Sequence, residues 1–265
     1  MEGHKFEKIG CIADFTSELS TAAYEELIRV YGFLDAESYP LDYCDLLIVL
    51  GGDGLMLKTM HKYMAHNIPI FGMNRGSVGF LLNHYKVEDL HQRIAGAVVA
   101  KLHPLEMVAT TVDDVEHREL AINEVSLLRE TNQTARIKVY INDAIRLNYL
   151  VADGVLIATP AGSSAYNFAA HGPVIPLDAN VLALTPICPL RPRRWQGALI
   201  SSKSIVKFEI MEPTKRPVSA VADSHEVRDV KMVKVKERKD IEMILLFDKE
   251  NVFEERLMKE QFMHY

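Results

Sequence analysis

The chain has few cysteines, no long apolar run and no excess of positive charge, and each shortage removes a class of protein. Only Cys11, Cys44 and Cys188 occur in 265 residues. They lie far apart with no CxxC spacing, so neither a disulfide framework nor a structural zinc site is expected, and a reducing cytoplasmic compartment is. No stretch approaches the ~20 consecutive apolar residues that a membrane-spanning helix needs. The first fifteen residues, MEGHKFEKIGCIADF, are charged and lack the apolar centre of a secretory signal, so neither export nor a membrane partner is expected. A formal net charge of −6 gives no general attraction to polyanions, which argues against nucleic acid and leaves any phosphate ligand to be held by local geometry. Internal repeats and low-complexity tracts are missing as well.

What is present is ample core material: 48% of residues are hydrophobic and 25% charged, enough for one large domain or two modest ones. The first third alternates strand and helix patterns. Residues 8–15 (KIGCIADF), 45–50 and 68–74 read as strands, and residues 20–31 and 54–65 as helices. Such alternation implies a parallel sheet with right-handed crossovers. Residues 87–101 read as a closing amphipathic helix. From about His103 the period becomes two. Residues 136–150 alternate around an Asn142-Asp143 turn, and residues 204–212 and 230–237 repeat the pattern. The second half is therefore expected to be β-rich, with the proline-rich segments 176–195 and 212–217 in loops.

Three segments carry chemistry. The run DLLIVLGGDGLMLK, residues 45–58, ends a buried strand on glycines, which places Asp53 on the carboxyl edge of an α/β sheet, where ligands of such folds bind. Gly51 and Gly52 let backbone N–H groups approach a phosphate, and the following helix aims its positive end there. Asp53 could equally cap that helix. A second turn, GMNRGSVGFLLN at 72–83, again follows a strand, with glycines at 76 and 79 and an asparagine, Asn74, that can bond a ligand or its own backbone. The third segment, ADGVLIATPAGSSAY at 152–166, joins an aspartate and a short apolar strand to small and hydroxyl residues. These could surround a ring or sugar, or form only a Pro-Gly turn and a Ser-rich helix start.

In this order, together with the Asn-Glu pair of INEVSLLR and the later HGPVI and LTPICP, the segments resemble the NAD kinase family, which phosphorylates NAD to NADP. The resemblance covers nearly the whole chain. It implies a Rossmann-like α/β domain at 1–100 and a β-rich, sandwich-like NAD-binding domain at 101–246, with a helical tail, 247–265, packing back on the first. Asp53 becomes the base that takes the proton from the 2′-hydroxyl of the adenosine ribose as that oxygen attacks the γ-phosphate of ATP. Gly51, Gly52, Asn74 and Gly76 are assigned to the phosphates of ATP. Asp53, Gly54, Lys58, Asn123, Glu124, Asp153, Ala161, Ser164, Ala165, Tyr166, Asn167, Phe168 and Ala169 are assigned to NAD. The resemblance also implies a divalent cation, magnesium, whose ligands can be phosphate and water and so need no protein motif. The implied partners are small-molecule nucleotides, and the implied assembly is a homodimer or homotetramer.

The sequence departs from the family pattern at Leu55, Ala161 and Ser164, where threonines are common, and at ADSHE, 222–226, where many members have Asp-Gly-Gln. His225 is therefore a weak contact candidate. Arg191, Arg193 and Arg194 could grip a phosphate or lie on a solvated loop. The run KMVKVKERK, 231–239, reads as a charged outer face that discourages edge pairing. Two rivals share the glycine turns: a lipid or sugar kinase with the same GGDG chemistry, and a non-catalytic NAD-binding sensor.

Overall fold

The structure, a computed structural model, describes residues 6–76 and 79–249. The described chain forms two units, one running up to Leu102 and resuming from Ile241, the other comprising His103–Asp240. The helix expected at 247–265 lies outside the described residues from 250 onward.

The first unit is built on a seven-stranded sheet. Its order is Leu34–Asp35, Ile9–Ala13, Leu46–Gly51, Ile70–Asn74, Met243–Phe247 and Val98–Leu102, with Asn83–His84 paired to Ile70–Asn74. All pairings are parallel except that of Met243–Phe247 with Val98–Leu102. Ile9–Ala13 and Leu46–Gly51 are buried along their whole length, as strands covered on both faces must be. Helix Glu18–Tyr31 starts on the Ser17 hydroxyl, ends at Gly32 with φ 66°, and buries Ala23 and Leu27 against Ile9, Cys11, Leu46 and Ile48. Helix Asp53–Tyr63 buries Met56, Thr59, Met60 and Tyr63, one face at helical spacing. Because the chain order reverses between Ile9–Ala13 and Leu46–Gly51, Asp14 and Gly51 end at the topological switch point, where such sheets receive ligands.

The amphipathic helix expected at 87–101 is only half there. Leu90–Ala95 is helical, but Val98–Leu102 is a strand. The apolar residues around Val98 match a helical stripe in sequence, yet Met243–Phe247 returns from the far end of the chain and pairs with them.

The second unit is a sandwich of two six-stranded antiparallel sheets. One runs Ala144–Ala152, Ala135–Ile141, Val206–Ile210, Val230–Glu237, Leu105–Thr111 and Glu116–Ala121; the other runs Ala198–Ser201, Val181–Ile187, Gly154–Ala158, Glu124–Arg129, Val218–Ala222 and His225–Val227. Met107, Ile137, Phe208 and Val233 of the first meet Val125, Leu127, Val155 and Ile157 of the second in one core. The expected hairpin turns at Asn142 and Asp143, both left-handed.

Two expectations fail in this unit. The 176–195 segment is not all loop, because Val181–Ile187 is a strand despite Pro186. Ile187 turns its carbonyl toward Asp153 N (3.0 Å), so Pro186 faces the other way, past the end of the pairing with Ala198–Ser201, where no ladder bond is broken. Val230–Glu237 is also no edge, since it pairs on both sides. Its lysines line a solvated sheet face.

Candidate active site

In the first unit the two glycine turns close on each other. Gly51 pairs with Asn74 across the sheet, and Arg75 N donates to Gly51 O (2.9 Å). Helix Asp53–Tyr63 has Gly52 at its N-cap with no side-chain cap, so Asp53 is not the capping residue. Its carboxylate reaches to the second turn and accepts from Phe80 N (2.9 Å) and Leu81 N (3.1 Å). These two bonds tie the GGDG turn to the second turn through the Asp53 side chain. Asn74 Oδ1 accepts from Gly76 N (2.8 Å), bonding its own backbone.

The glycines divide by what a side chain would meet. At Gly51 a Cβ would lie 2.8 Å from Leu55 Cδ2, and at Gly72 2.4 Å from Leu82 Cδ2; these are packing glycines. At Gly52 and Gly54 it would meet no described atom within 4 Å, and neither has a positive φ. The fold itself therefore asks for glycine at neither position. Lys58 is exposed, and its charge acts on Asp14, whose carboxyl is held below its ordinary value first by the Thr16 hydroxyl and N–H.

In the second unit the remaining candidates gather at one end of a strand pair. Glu124 opens its strand opposite Ala158. Leu156 and Ala158 face outward beneath Ile175 and Tyr166, so the apolar run 154–158 is buried on both faces. The chain then turns at Thr159, whose N–H donates to Asn123 O (2.9 Å), whose hydroxyl donates to Ile122 O (2.7 Å), and whose Oγ1 accepts from Gly162 N (3.0 Å). A Cβ at Gly162 would lie 2.1 Å from Asn123 O, so only glycine lets this loop seat on the Asn-Glu pair.

Around that frame, Asn123 Oδ1 and Glu124 Oε2 are buried with no hydrogen-bond partner among the described residues. Burial, and then the Asp223 charge, push Glu124 up to about 7, against a backbone hydrogen bond from Tyr166. The Tyr166 hydroxyl is raised by burial and by the charges of Cys188, Glu124 and Asp153. Asp153 Oδ1 accepts from Arg129 Nε (2.6 Å), and Arg129 also donates to Thr131 O.

Asn167 stands apart. It is fully buried, with its amide donating to Ser163 O (3.0 Å) and Pro173 O (2.9 Å) and its oxygen accepting from Thr185 Oγ1 (2.7 Å); it shapes the loop from inside. Ala161 is buried, Ser164 and Tyr166 are half-buried, and Ala165, Phe168 and Ala169 are exposed. Arg191, Arg193, Arg194 and His225 are exposed.

Sequence reasoning missed Thr159, Arg129 and Asp223 as parts of the site. Arg129 lies within the quoted INEVSLLR, but nothing local pairs it with Asp153. Asp223 accepts from the N–H groups of Ile122, Asn123 and Glu124, about 100 residues away in sequence.

Comparison with known proteins gives matches over most of the chain. Residues 16–100 match the family model of the ATP-NAD kinase N-terminal domain, and residues 122–242 that of the C-terminal domain. The chain is 51% identical over 240 residues to the NAD kinase of Caulobacter vibrioides, covering 91% of this chain and 90% of that one. It is 48% identical over 245 residues to the NAD kinase of Brucella suis, covering 92% and 93%. Among solved structures it is similar to yeast NADH kinase complexed with NADH (TM-score 0.84, 20% identity, 99% of this chain and 90% of that). It is also similar to an NAD kinase from Archaeoglobus fulgidus in complex with ATP (TM-score 0.74, 21% identity, 97% and 99%). At these identities the structural likeness speaks for the fold.

Proposed function

The chain belongs to the NAD kinase family, and on that premise we propose that it moves the γ-phosphoryl group of ATP to the 2′-hydroxyl of the adenosine ribose of NAD, forming NADP. The observation that carries the acceptor assignment is the pair of buried acceptor atoms, Asn123 Oδ1 and Glu124 Oε2, on adjacent residues whose backbone is locked in place. Leaving such atoms unbonded costs about 1–3 kcal/mol each, a cost that a ligand rich in hydroxyl and amino donors removes.

In this reading Asp53 is the general base. A carboxylate serves if it lies within hydrogen-bond reach of the hydroxyl, and its two backbone bonds to Phe80 and Leu81 fix its direction. Gly52 and Gly54 keep space for phosphates beside the N-terminus of helix Asp53–Tyr63, whose positive dipole end favours anions. Asn74, Gly51 and Gly76 shape the turns, Gly76 giving a phosphate room rather than a donor, and Lys58 is offered to phosphate. Asp153, with Tyr166 and the exposed residues of the 161–169 segment, contacts the rest of NAD. Phosphoryl transfer asks mainly for positioning, which Asp53 and the backbone donors of the turns can supply, and for charge neutralisation, which falls to those donors, Lys58 and the cation.

Among the described residues no three of His, Cys, Asp or Glu converge on a metal site. Magnesium would arrive held by phosphate oxygens and water and would neutralise their charge. We place the enzyme in the cytoplasm, in keeping with its free thiols at Cys11, Cys44 and Cys188. We also propose that it works as a homodimer or homotetramer; Ile145 and Tyr149, both exposed on the edge strand Ala144–Ala152, are in keeping with an assembly surface.

The test is direct. Purified protein given ATP, magnesium and NAD is expected to make NADP, and Asp53→Asn to bind NAD while losing most turnover. Binding of NAD by the wild type without product would replace the kinase by a sensor.

A further inference from the structure

Asp223 has no role in the chemistry above, yet it is the most heavily used carboxylate around the acceptor pair. It sits in the two-residue turn that joins Val218–Ala222 to His225–Val227, with φ 50°, a conformation that Gly, Asn and Asp all tolerate. The turn alone would therefore be satisfied by glycine. The side chain does more. Its Oδ2 accepts from Ile122 N (2.7 Å) and its Oδ1 from Asn123 N (3.0 Å) and Glu124 N (3.2 Å), while Asp223 N donates to Glu124 O (3.2 Å).

We propose that Asp223 is the positioning residue of the acceptor site, setting both the direction and the hydrogen-bonding character of Asn123 and Glu124. This rests on the reading of that pair as the NAD contact. Three consecutive N–H groups gathered on one carboxylate hold the strand entry rigid, and the Thr159 and Gly162 contacts fix it from the other side. Asp223 also places a negative charge beside the buried Glu124 carboxyl, favouring its neutral form. The groups that act on Glu124 are Asp223 and the Tyr166 N–H, while Cys188, Glu124 and Asp153 act on the Tyr166 hydroxyl; Asp153 is already paired with Arg129. Among the described residues no cation acts on Glu124 to reverse the effect. A neutral Glu124 presents a hydroxyl donor as well as an acceptor, so it can read a ligand acceptor atom that a carboxylate would repel.

The experiment measures NAD dissociation constants between pH 5.5 and 8.5 for the wild type, Asp223→Gly, Asp223→Asn and Glu124→Gln, with turnover of the wild type as the reference. Glycine keeps the turn and removes the clasp; asparagine keeps one acceptor oxygen and removes the charge; glutamine fixes position 124 in a neutral, donor-bearing form. Wild-type affinity is expected to fall as pH rises through neutrality. Asp223→Gly should weaken NAD binding at least tenfold with little change in KM for ATP. Asp223→Asn should move the midpoint of the pH dependence downward, and Glu124→Gln should retain binding and flatten the profile. NAD affinity within twofold of wild type in Asp223→Gly, or an unmoved midpoint in Asp223→Asn, would overturn the proposal even with wild-type turnover intact. A wild type that makes no NADP would instead overturn the functional reading.

Discussion

Replacing Gly54 by alanine separates what the fold asks of the GGDG turn from what a ligand asks of it. Gly54 is the second residue of helix Asp53–Tyr63 and is exposed; a Cβ there would meet no described atom within 4 Å. Its φ is not positive, so alanine enters without strain. A helical glycine is worse than alanine by about 0.5–1 kcal/mol, partly through the freedom it gives the unfolded chain. Gly54→Ala is thus expected to stabilise the protein, by up to about 1 kcal/mol. With an unfolding entropy of about 2 cal/mol/K per residue, this raises the melting temperature by about 2–4 °C, depending on whether the whole chain or only the first unit melts. The same methyl group would stand where phosphates are expected to approach the helix N-terminus. Misplacing a reacting group by about 1 Å costs on the order of 10²-fold in rate, so kcat/KM for ATP should fall by about 10- to 100-fold. Thermal melts and steady-state kinetics on one preparation read both effects. A variant that is more stable and fully active would show that the glycine is not kept for a ligand. A destabilised variant would show that the packing around the turn is misread.

The opposite behaviour is expected at Gly162, where alanine would drive a Cβ to within 2.1 Å of Asn123 O; a loss of about 1–3 kcal/mol by chemical denaturation should accompany loss of NAD binding. Asp53→Asn keeps one acceptor for the Phe80 and Leu81 N–H groups but sets a donor against the other, so about 1–3 kcal/mol of stability and about 10²–10⁴-fold in turnover should be lost together, while NAD affinity changes little. Glu124, pushed up to about 7 from 4.5, is neutral in the folded state over a range where it is already ionised in the unfolded one. Its contribution is therefore neutral below about pH 4.5, grows unfavourable as pH rises toward 7, and levels off above that at a cost of about 3 kcal/mol; Glu124→Gln should remove this slope from a plot of stability against pH. Arg129→Met should cost no more than about 1 kcal/mol, because the Arg129 and Asp153 side chains are each about a third exposed (35% and 34%) and water screens the pair.

Local pattern carried much of the architecture. The apolar run before GGDG is a strand, the stretch after it a helix, and Asn142-Asp143 a hairpin turn, because buried strands, amphipathic helices and tight turns are each fixed by residues within a few positions of one another. The pattern erred at Val98–Leu102, where a strand from residues 243–247 overrode a helical stripe. It erred again at Pro186, which is tolerated because of the side of the strand its nitrogen faces.

The motifs likewise singled out Asp53, Asn123, Glu124 and the 161–169 loop, but not the partners that the fold gives them. Asp53 is bonded 27 and 28 residues away, and the clasp of Asp223 on Glu124 spans 99. The burial that raises Glu124 exists only once the 161–175 segment covers the outer face of its sheet. Sequence pattern identified the residues able to do chemistry and most of the local elements that carry them. Long-range contacts settle which glycines are for packing and which leave room, which carboxylate is a tie and which keeps one buried oxygen without a partner among the described residues. Those distinctions depend on contacts between segments far apart in the chain, and no local spacing records them.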